Sequence, residues 1–215
     1  MIFENREQAA RLLARRLTVY YRNKNPLVLG IPRGAVPMAK VIADVLGGEL
    51  DVLLVHKLGH PLQPELAIGA IDENGNLVLA EHAQGIEAEY LEAEKKRQLE
   101  ILRRRRAQYT PYRAPIDPRD RLVIVVDDGI ATGATMTAAL RAVRVGKPKK
   151  VIAAVAVASR EAARAMLHEA DAMVCLKVPT DFYAVGQFFV DFAQVTDEDV
   201  VAILQGGDLK ASAAG

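Results

Sequence analysis

Residues 123–135 read VIVVDDGIATGAT, and they hold the densest concentration of chemically useful groups in the 215-residue chain. An apolar run ends in two adjacent carboxylates, Asp127 and Asp128. The small or hydroxylic residues Ala131, Thr132, Gly133, Ala134 and Thr135 follow, and they let a ligand come close to backbone N–H groups. A helix opening on these residues adds a favourable dipole for an anion. Thr132 and Thr135 add hydroxyl donors. Two acceptors beside an anion cradle fit a sugar phosphate: its hydroxyls donate to the carboxylates and its phosphate sits in the loop. The string is not a Walker A loop, because no Lys follows the glycine, and it lacks GxGxxG spacing. Alone, a paired Asp at a strand end is a solvated acid pair above a Thr N-cap; the full string is far more specific.

A second loop, Gly30-Ile31-Pro32-Arg33-Gly34-Ala35-Val36-Pro37, has two glycines for backbone access and a guanidinium suited to bidentate phosphate contact. His56 and His60 flank Lys57, but no third ligand is spaced to complete a metal site. Four of the five Phe residues, Phe182, Phe188, Phe189 and Phe192, fall within eleven positions near the C-terminus. The basic run Arg103–Arg106 shares its segment with Glu87, Glu89, Glu92, Glu94 and Glu100. Glu92–Lys96 and Glu100–Arg104 stand at i,i+4, so the run reads as the solvated face of a helix.

The elements that must position these groups alternate. Helices are expected over 4–21, Ala35–Leu46, Thr135–Val145 and Glu161–Glu169. Apolar strands are expected at Pro26–Gly30, Asp51–His56, Arg121–Val126, Val151–Ala158 and Ala172–Val178. Strands without a polar face, alternating with helices, predict an α/β fold with a doubly wound, parallel five-stranded sheet. The expected order is 2-1-3-4-5. Its switch point then lies between strands one and three, where ligands bind in open α/β sheets, and where the loops after Gly30 and Val126 meet. Residues 58–120 are too many for one crossover. Asn74-Gly75 marks a hairpin between Ala67–Ile71 and Leu77–Ala80, and Ile86–Tyr109 forms a long charged helix. The whole chain is expected to form a single domain, 1–215, carrying this insertion. Gly206–Gly215 is expected to fray.

Composition excludes several classes. Hydrophobic residues are 51% and charged residues 26%, which is ordinary for a globular protein, and 28 basic against 27 acidic residues give +1. No global field draws the chain to nucleic acid, so no nucleic-acid partner is expected. Cys175 is the only cysteine, which rules out an internal disulfide. The amphipathic opening segment and the lack of a long apolar run lead to the expectation of a cytoplasmic protein with no membrane span.

The string at 123–135 resembles the phosphoribosyl-diphosphate (PRPP) signature of type I phosphoribosyltransferases: four apolar residues, two acids, two mostly apolar positions, then small-Thr-Gly-x-Thr/Ser. The phrase LGHPLQPELAIGAI resembles a group of bacterial proteins known only by a provisional phosphoribosyltransferase name, and that likeness runs over about residues 5–205. The resemblance implies that Asp127 and Asp128 hold the ribose hydroxyls and Ala131–Thr135 the 5-phosphate. It makes Ile31, Pro32, Arg33 and Gly34 a pyrophosphate loop, with a cis bond expected at Pro32–Arg33. Lys57, at the end of the second strand, is expected within reach of that pyrophosphate. The segment 178–205 is similar to the hood of purine-type members, which implies acceptor contacts from Phe182 and Tyr183. Asp191 matches an acid that helps hold metal and pyrophosphate. Arg33, Lys57, Asp127 and Asp128 become the catalytic candidates, Mg²⁺ the cofactor, PRPP and a small-molecule acceptor the ligands, and a homodimer the default assembly. A loop within 58–85 is expected to close over the site.

One departure bears on the acceptor. Hypoxanthine–guanine enzymes carry an acid immediately before the Thr-Gly pair; here that residue is Ala131. Adenine-type enzymes can also have Ala there, so the transferase reading stands. Ala131 and the charged helix leave a PRPP- or nucleotide-sensing regulator without turnover as one alternative, and a sugar-phosphate hydrolase is another because fold alone does not fix reaction.

Overall fold

The computed structural model describes residues 2–79, 83, 85–111 and 114–207. Its element order is α1 (Arg6–Tyr21), β1 (Leu27–Gly30), α2 (Val36–Leu46), β2 (Glu49–Val52), β3 (Val55–His60), β4 (Gln63–Asp72), β5 (Leu77–Leu79), α3 (Ala88–Tyr109), β6 (Leu122–Ile130), α4 (Ala134–Val145), β7 (Lys150–Ala158), α5 (Arg160–Glu169), β8 (Ala172–Lys177) and α6 (Asp197–Leu204). The main sheet runs β2-β1-β6-β7-β8, and all its strand pairs are parallel. This is the doubly wound α/β order expected from the sequence.

Alternation along each strand explains why both faces are apolar. Val28, Ile124, Val126, Ile152 and Ala154 point to α1 and α2, against Leu13, Leu17, Met38 and Ile42. Leu29, Val123, Val125, Ala153 and Val155 point the other way, against Met136, Leu140, Val143 and Met166 of α4 and α5. The helices start and stop on local signals. Asn5 caps α1 by accepting from the Gln8 amide at 2.9 Å. Gly47 ends α2 at φ 66°, a left-handed conformation that a residue with Cβ adopts only under strain.

Two strands differ from expectation. The apolar run Asp51–His56 is not one strand: β2 ends at Val52, and β3 starts a second, antiparallel sheet, β3-β4-β5. A continuous run of β-formers carries no mark of where the chain leaves a sheet. Lys57, expected at the carboxyl edge of the main sheet, therefore lies within β3, opposite Ala70. Strand β6 also runs four residues past Val126, through both aspartates, because Asp127, Gly129 and Ile130 still pair with β7.

The second sheet is the hairpin insertion and touches α4 as well as α3. Its turn has Gly75 at φ 87°, and the Asp72 carboxylate accepts from the amides of Asn74 (3.0 Å) and Asn76 (2.8 Å). The stretch expected as a closing loop is thus largely strand; residues 80–82 and 84 lie outside the described residues, as does 208–215 at the C-terminal end expected to fray.

Helix α3 is solvated along much of its length, and the Glu100–Arg104 pair forms at 3.3 Å. Glu94 holds Arg97 at 2.7 Å. Arg106 departs from the solvated reading. It is 8% exposed, and its guanidinium donates to Asp51 (2.7 Å), to the Val52 carbonyl (2.9 Å) and to both oxygens of Glu73. This cluster ties α3 to the end of β2 and to the hairpin turn. Among the described residues, no helix is long and apolar enough to cross a membrane.

Candidate functional site

Parallel pairing sets the frame of the site. Gly30 sits opposite Val126, and the Ile31 amide donates to the Val126 carbonyl at 3.1 Å. The loop after β1 is thereby tied to the strand that carries the acid pair one residue later. The peptide bond between Pro32 and Arg33 is cis. Gly34 lies so close to the acids that a Cβ there would stand 2.5 Å from Asp128 Oδ2. Ile31–Gly34 and Asp127–Asp128 therefore form one continuous surface.

Asp127 and Asp128 have different surroundings. The Asp128 amide donates to Asp127 Oδ1 at 2.9 Å. Burial first, and the neighbouring Asp128 charge second, push the Asp127 carboxyl well above the usual carboxylate range. Asp128 has a cationic partner: Arg6 Nε and Nη2 reach its Oδ2 at 3.0 and 2.9 Å. Arg6, at the first position of α1, is the principal site residue that sequence reading missed. Nothing in an amphipathic helix separates one arginine that turns inward from those left in water.

The cradle follows β6. Gly133 adopts φ 78° at the N-cap of α4, and Thr132 Oγ1 accepts from the Ala134 amide at 3.4 Å. Ala131, Thr132 and Thr135 are exposed, and Ala134 is half-buried. Ser159, at the end of β7, pins the loop by donating to the Ala131 carbonyl at 2.6 Å, while its Oγ caps α5 by accepting from the Ala162 amide. Ser159→Ala is expected to cost about 1 kcal/mol in a denaturant melt, the typical loss of a helix cap.

Arg33 projects from its loop, and its side chain is 40% exposed. Its Nη1 stands 3.8 Å from Asp197 Oδ2, at the start of α6. Asp197 also accepts from the hydroxyl of Tyr109, at the end of α3. Burial first, and then this bond to a carboxylate, raise the Tyr109 pKa far above its ordinary value. The insertion and the C-terminal helix thus converge on the loop after β1.

The hood segment lies over β6. A 3-10 turn, Val185–Phe188, brings Val185 against Gly129, where an added Cβ would stand 2.6 Å from its methyl. The aromatic residues divide in a way their spacing did not show. Phe188 and Phe189 are buried. Phe189 stacks on Phe192 at 4.9 Å and packs on Phe3 at 5.4 Å, which stitches the hood to the N-terminus. Phe182 rests on Phe188 at 5.5 Å. Tyr183 is 89% exposed. Asp191 is exposed, and its Oδ1 accepts from the Ala193 amide at 2.9 Å. His60 Nδ1 accepts from the Leu62 amide, and the described residues contain no group of three or more His, Cys, Asp and Glu placed to hold a metal.

Comparison with known proteins agrees with this geometry. The phosphoribosyl transferase domain family matches residues 1–193. A Mycobacterium tuberculosis protein provisionally named a phosphoribosyl transferase, found in two strains, is 42% identical over 206 residues, which is 94% of this chain and 46% of that protein. The chain thus spans about half the length of the curated relatives it matches. The crystal structure of TT1426 from Thermus thermophilus superposes with a TM-score of 0.89 at 46% identity, covering 97% of this chain and all of that one.

Proposed function

The chain belongs to the phosphoribosyl transferase family, and from that premise we propose that it moves a 5-phosphoribosyl group from PRPP to a nitrogenous acceptor and releases pyrophosphate. The observation that carries this reading is the meeting of three segments at the switch point: the acid pair on β6, the cradle before α4 and the loop after β1.

In this proposal Asp127 and Asp128 accept hydrogen bonds from the ribose hydroxyls and fix the ring. The amides of 131–135, with the Thr132 and Thr135 hydroxyls, hold the 5-phosphate at the N-terminus of α4. The Arg33 guanidinium and the backbone amides of Arg33 and Gly34 face the pyrophosphate. The bond from ribose C1 to the pyrophosphate oxygen breaks, and its electron pair leaves with pyrophosphate. The acceptor nitrogen supplies the pair for the new C1–N bond and gives up its proton to the departing pyrophosphate or to solvent. Preorganised donors stabilise the charge that builds on the leaving group. The carboxylate and carbonyl oxygens of this surface would suit Mg²⁺ arriving on the substrate's phosphates, where the ion would supply charge neutralisation and Asp191 would be the protein carboxylate that shares in holding it. Ala131 offers no proton-transfer group beside the cradle, which keeps a PRPP-binding regulator as the second reading.

The test is pyrophosphate release from PRPP and Mg²⁺ with a panel of purine, pyrimidine and other nitrogen bases. Base-dependent release supports the transferase and names the acceptor class. Mg²⁺-dependent PRPP binding without release supports the regulator. Inorganic phosphate release without a base supports a hydrolase. Gly34→Ala checks the loop's contact with the acids. Its Cβ must push on Asp128 Oδ2, and overpacking of about 1–3 kcal/mol, if carried into binding, predicts PRPP affinity about 5- to 160-fold weaker by calorimetry.

A further inference from the structure

Arg6 touches the acid pair, the end of the hood and the loop after β1. Its side chain is 13% exposed. Nε and Nη2 reach Asp128 Oδ2 at 3.0 and 2.9 Å. Nη1 donates to the carbonyl of Ala193 at 2.6 Å. The guanidinium lies 3.8 Å from the centre of the Phe192 ring. A Cβ on Gly34 would meet Arg6 Nη2 at 3.1 Å, so the loop after β1 closes the third side. Arginine suits this place, because its planar fork serves separate acceptors on different edges while its face covers a ring. A lysine ammonium has the charge but not the geometry.

The hood is also tied to the N-terminal segment: the Phe3 amide donates to the Phe188 carbonyl at 2.8 Å, and Phe3 packs on Phe189. The Val190 amide donates to the Phe3 carbonyl and the Asp191 amide to the Glu4 carbonyl, both at 2.8 Å. These bonds fasten the hood to the residues that lead into α1. Arg6 fastens the same residues to the acid pair.

We propose that Arg6 is a positioning residue that couples the hood to the acid pair: one guanidinium fixes the acceptor geometry of Asp128 and holds Phe192 and Ala193 to it. The functional consequence rests on the reading of Asp128 as a ribose-hydroxyl acceptor. A ligand that donates to Asp128 draws on the same carboxylate that Arg6 holds. Filling the ribose subsite therefore changes how tightly the hood is fastened before any acceptor arrives.

Two variants separate the two arms. Arg6→Met removes both; Arg6→Lys keeps a charge for Asp128 and drops the fork to Ala193. Hydrogen exchange is measured across 188–193 with and without PRPP and Mg²⁺, and PRPP affinity by calorimetry. Without ligand, both variants should exchange about threefold or more faster in that segment than the parent protein, through easier local opening. PRPP should bind about tenfold more weakly to Arg6→Met, with Arg6→Lys recovering part of that loss, as expected for a charged acceptor left unpaired. PRPP should also change hood exchange in the parent protein and leave it unaltered in Arg6→Lys. Unchanged exchange in ligand-free Arg6→Met overturns the coupling whether or not PRPP is the ligand. PRPP-dependent hood exchange in Arg6→Lys equal to that of the parent also overturns it. Failure of the parent to bind PRPP overturns the proposed function instead, and the ligand-free exchange then decides on Arg6 alone.

Discussion

Asp127→Asn combined with Asp128→Asn is expected to remove measurable PRPP-dependent pyrophosphate release while leaving the fold intact. A hydrogen bond to a charged group contributes about 1.5–3 kcal/mol, and losing two such acceptors predicts a fall in kcat/KM of about 10²–10⁴. The amide keeps the side-chain volume but replaces a carboxylate oxygen with an N–H₂ donor, which faces the donating hydroxyls. The two single variants should differ. Asp128 carries the ion pair with Arg6, so Asp128→Asn also leaves a guanidinium that is 13% exposed without its counter-charge. Among the described residues Asp127 has no ion pair of this kind, and desolvation first and the neighbouring Asp128 charge second raise its pKa, so Asp127→Asn relieves repulsion. Asp128→Asn is therefore expected to be the more damaging single change, in both thermal midpoint and PRPP affinity. Equal PRPP affinity in the double variant and the parent would refute the assignment of the acid pair to ribose.

The sequence shows the parallel sheet because the central stretches Leu27–Leu29, Val123–Val126 and Val151–Ala158 are apolar at every position, as a strand covered on both faces must be. It also shows the meeting of two loops, since the order 2-1-3-4-5 places the residues after Gly30 and Val126 side by side, and Ile31 does bond to Val126. The boundary inside DVLLVH is not legible. Leaving a sheet at Val52 and entering another at Val55 needs no breaker residue. The hood is only half legible. Phenylalanine spacing shows that an aromatic cluster forms, but the split between buried Phe188 and Phe189 and exposed Tyr183 depends on Phe3, which lies at the other end of the chain. Arg6 and Arg106 are illegible for one shared reason. Each sits on a helix among several arginines, and its partners lie 122 and 55 residues away for Asp128 and Asp51, respectively. Charge pairing at that separation leaves no local trace.

Arg106→Leu is expected to lower global stability by about 3–5 kcal/mol, the cost of stranding the remaining members of a buried ion cluster. Asp51 is 1% exposed, and the Glu73 side chain is 9% exposed. Asp51 retains donors from the Val52 amide at 2.8 Å and the Ile116 amide at 3.0 Å. Glu73 loses its guanidinium partner, and burial already pushes its carboxyl above the usual range even with Arg106 beside it. In the variant the folded-state pKa of Glu73 rises further above the unfolded value. A raised carboxylate contributes stability at low pH and loses it as pH climbs through the folded pKa. The deficit should therefore be largest near neutral pH and shrink as the buffer is taken below about 4.5, the ordinary Glu value. Urea melts at pH 7 and pH 4 measure both terms. Glu73→Leu combined with Arg106→Leu should recover more than half of the neutral-pH loss, because a buried pair replaced together by apolar groups costs little. No deficit at either pH would mean that α3 is held to the sheet by its apolar contacts at Leu102 and Tyr109, with the ion cluster adding nothing.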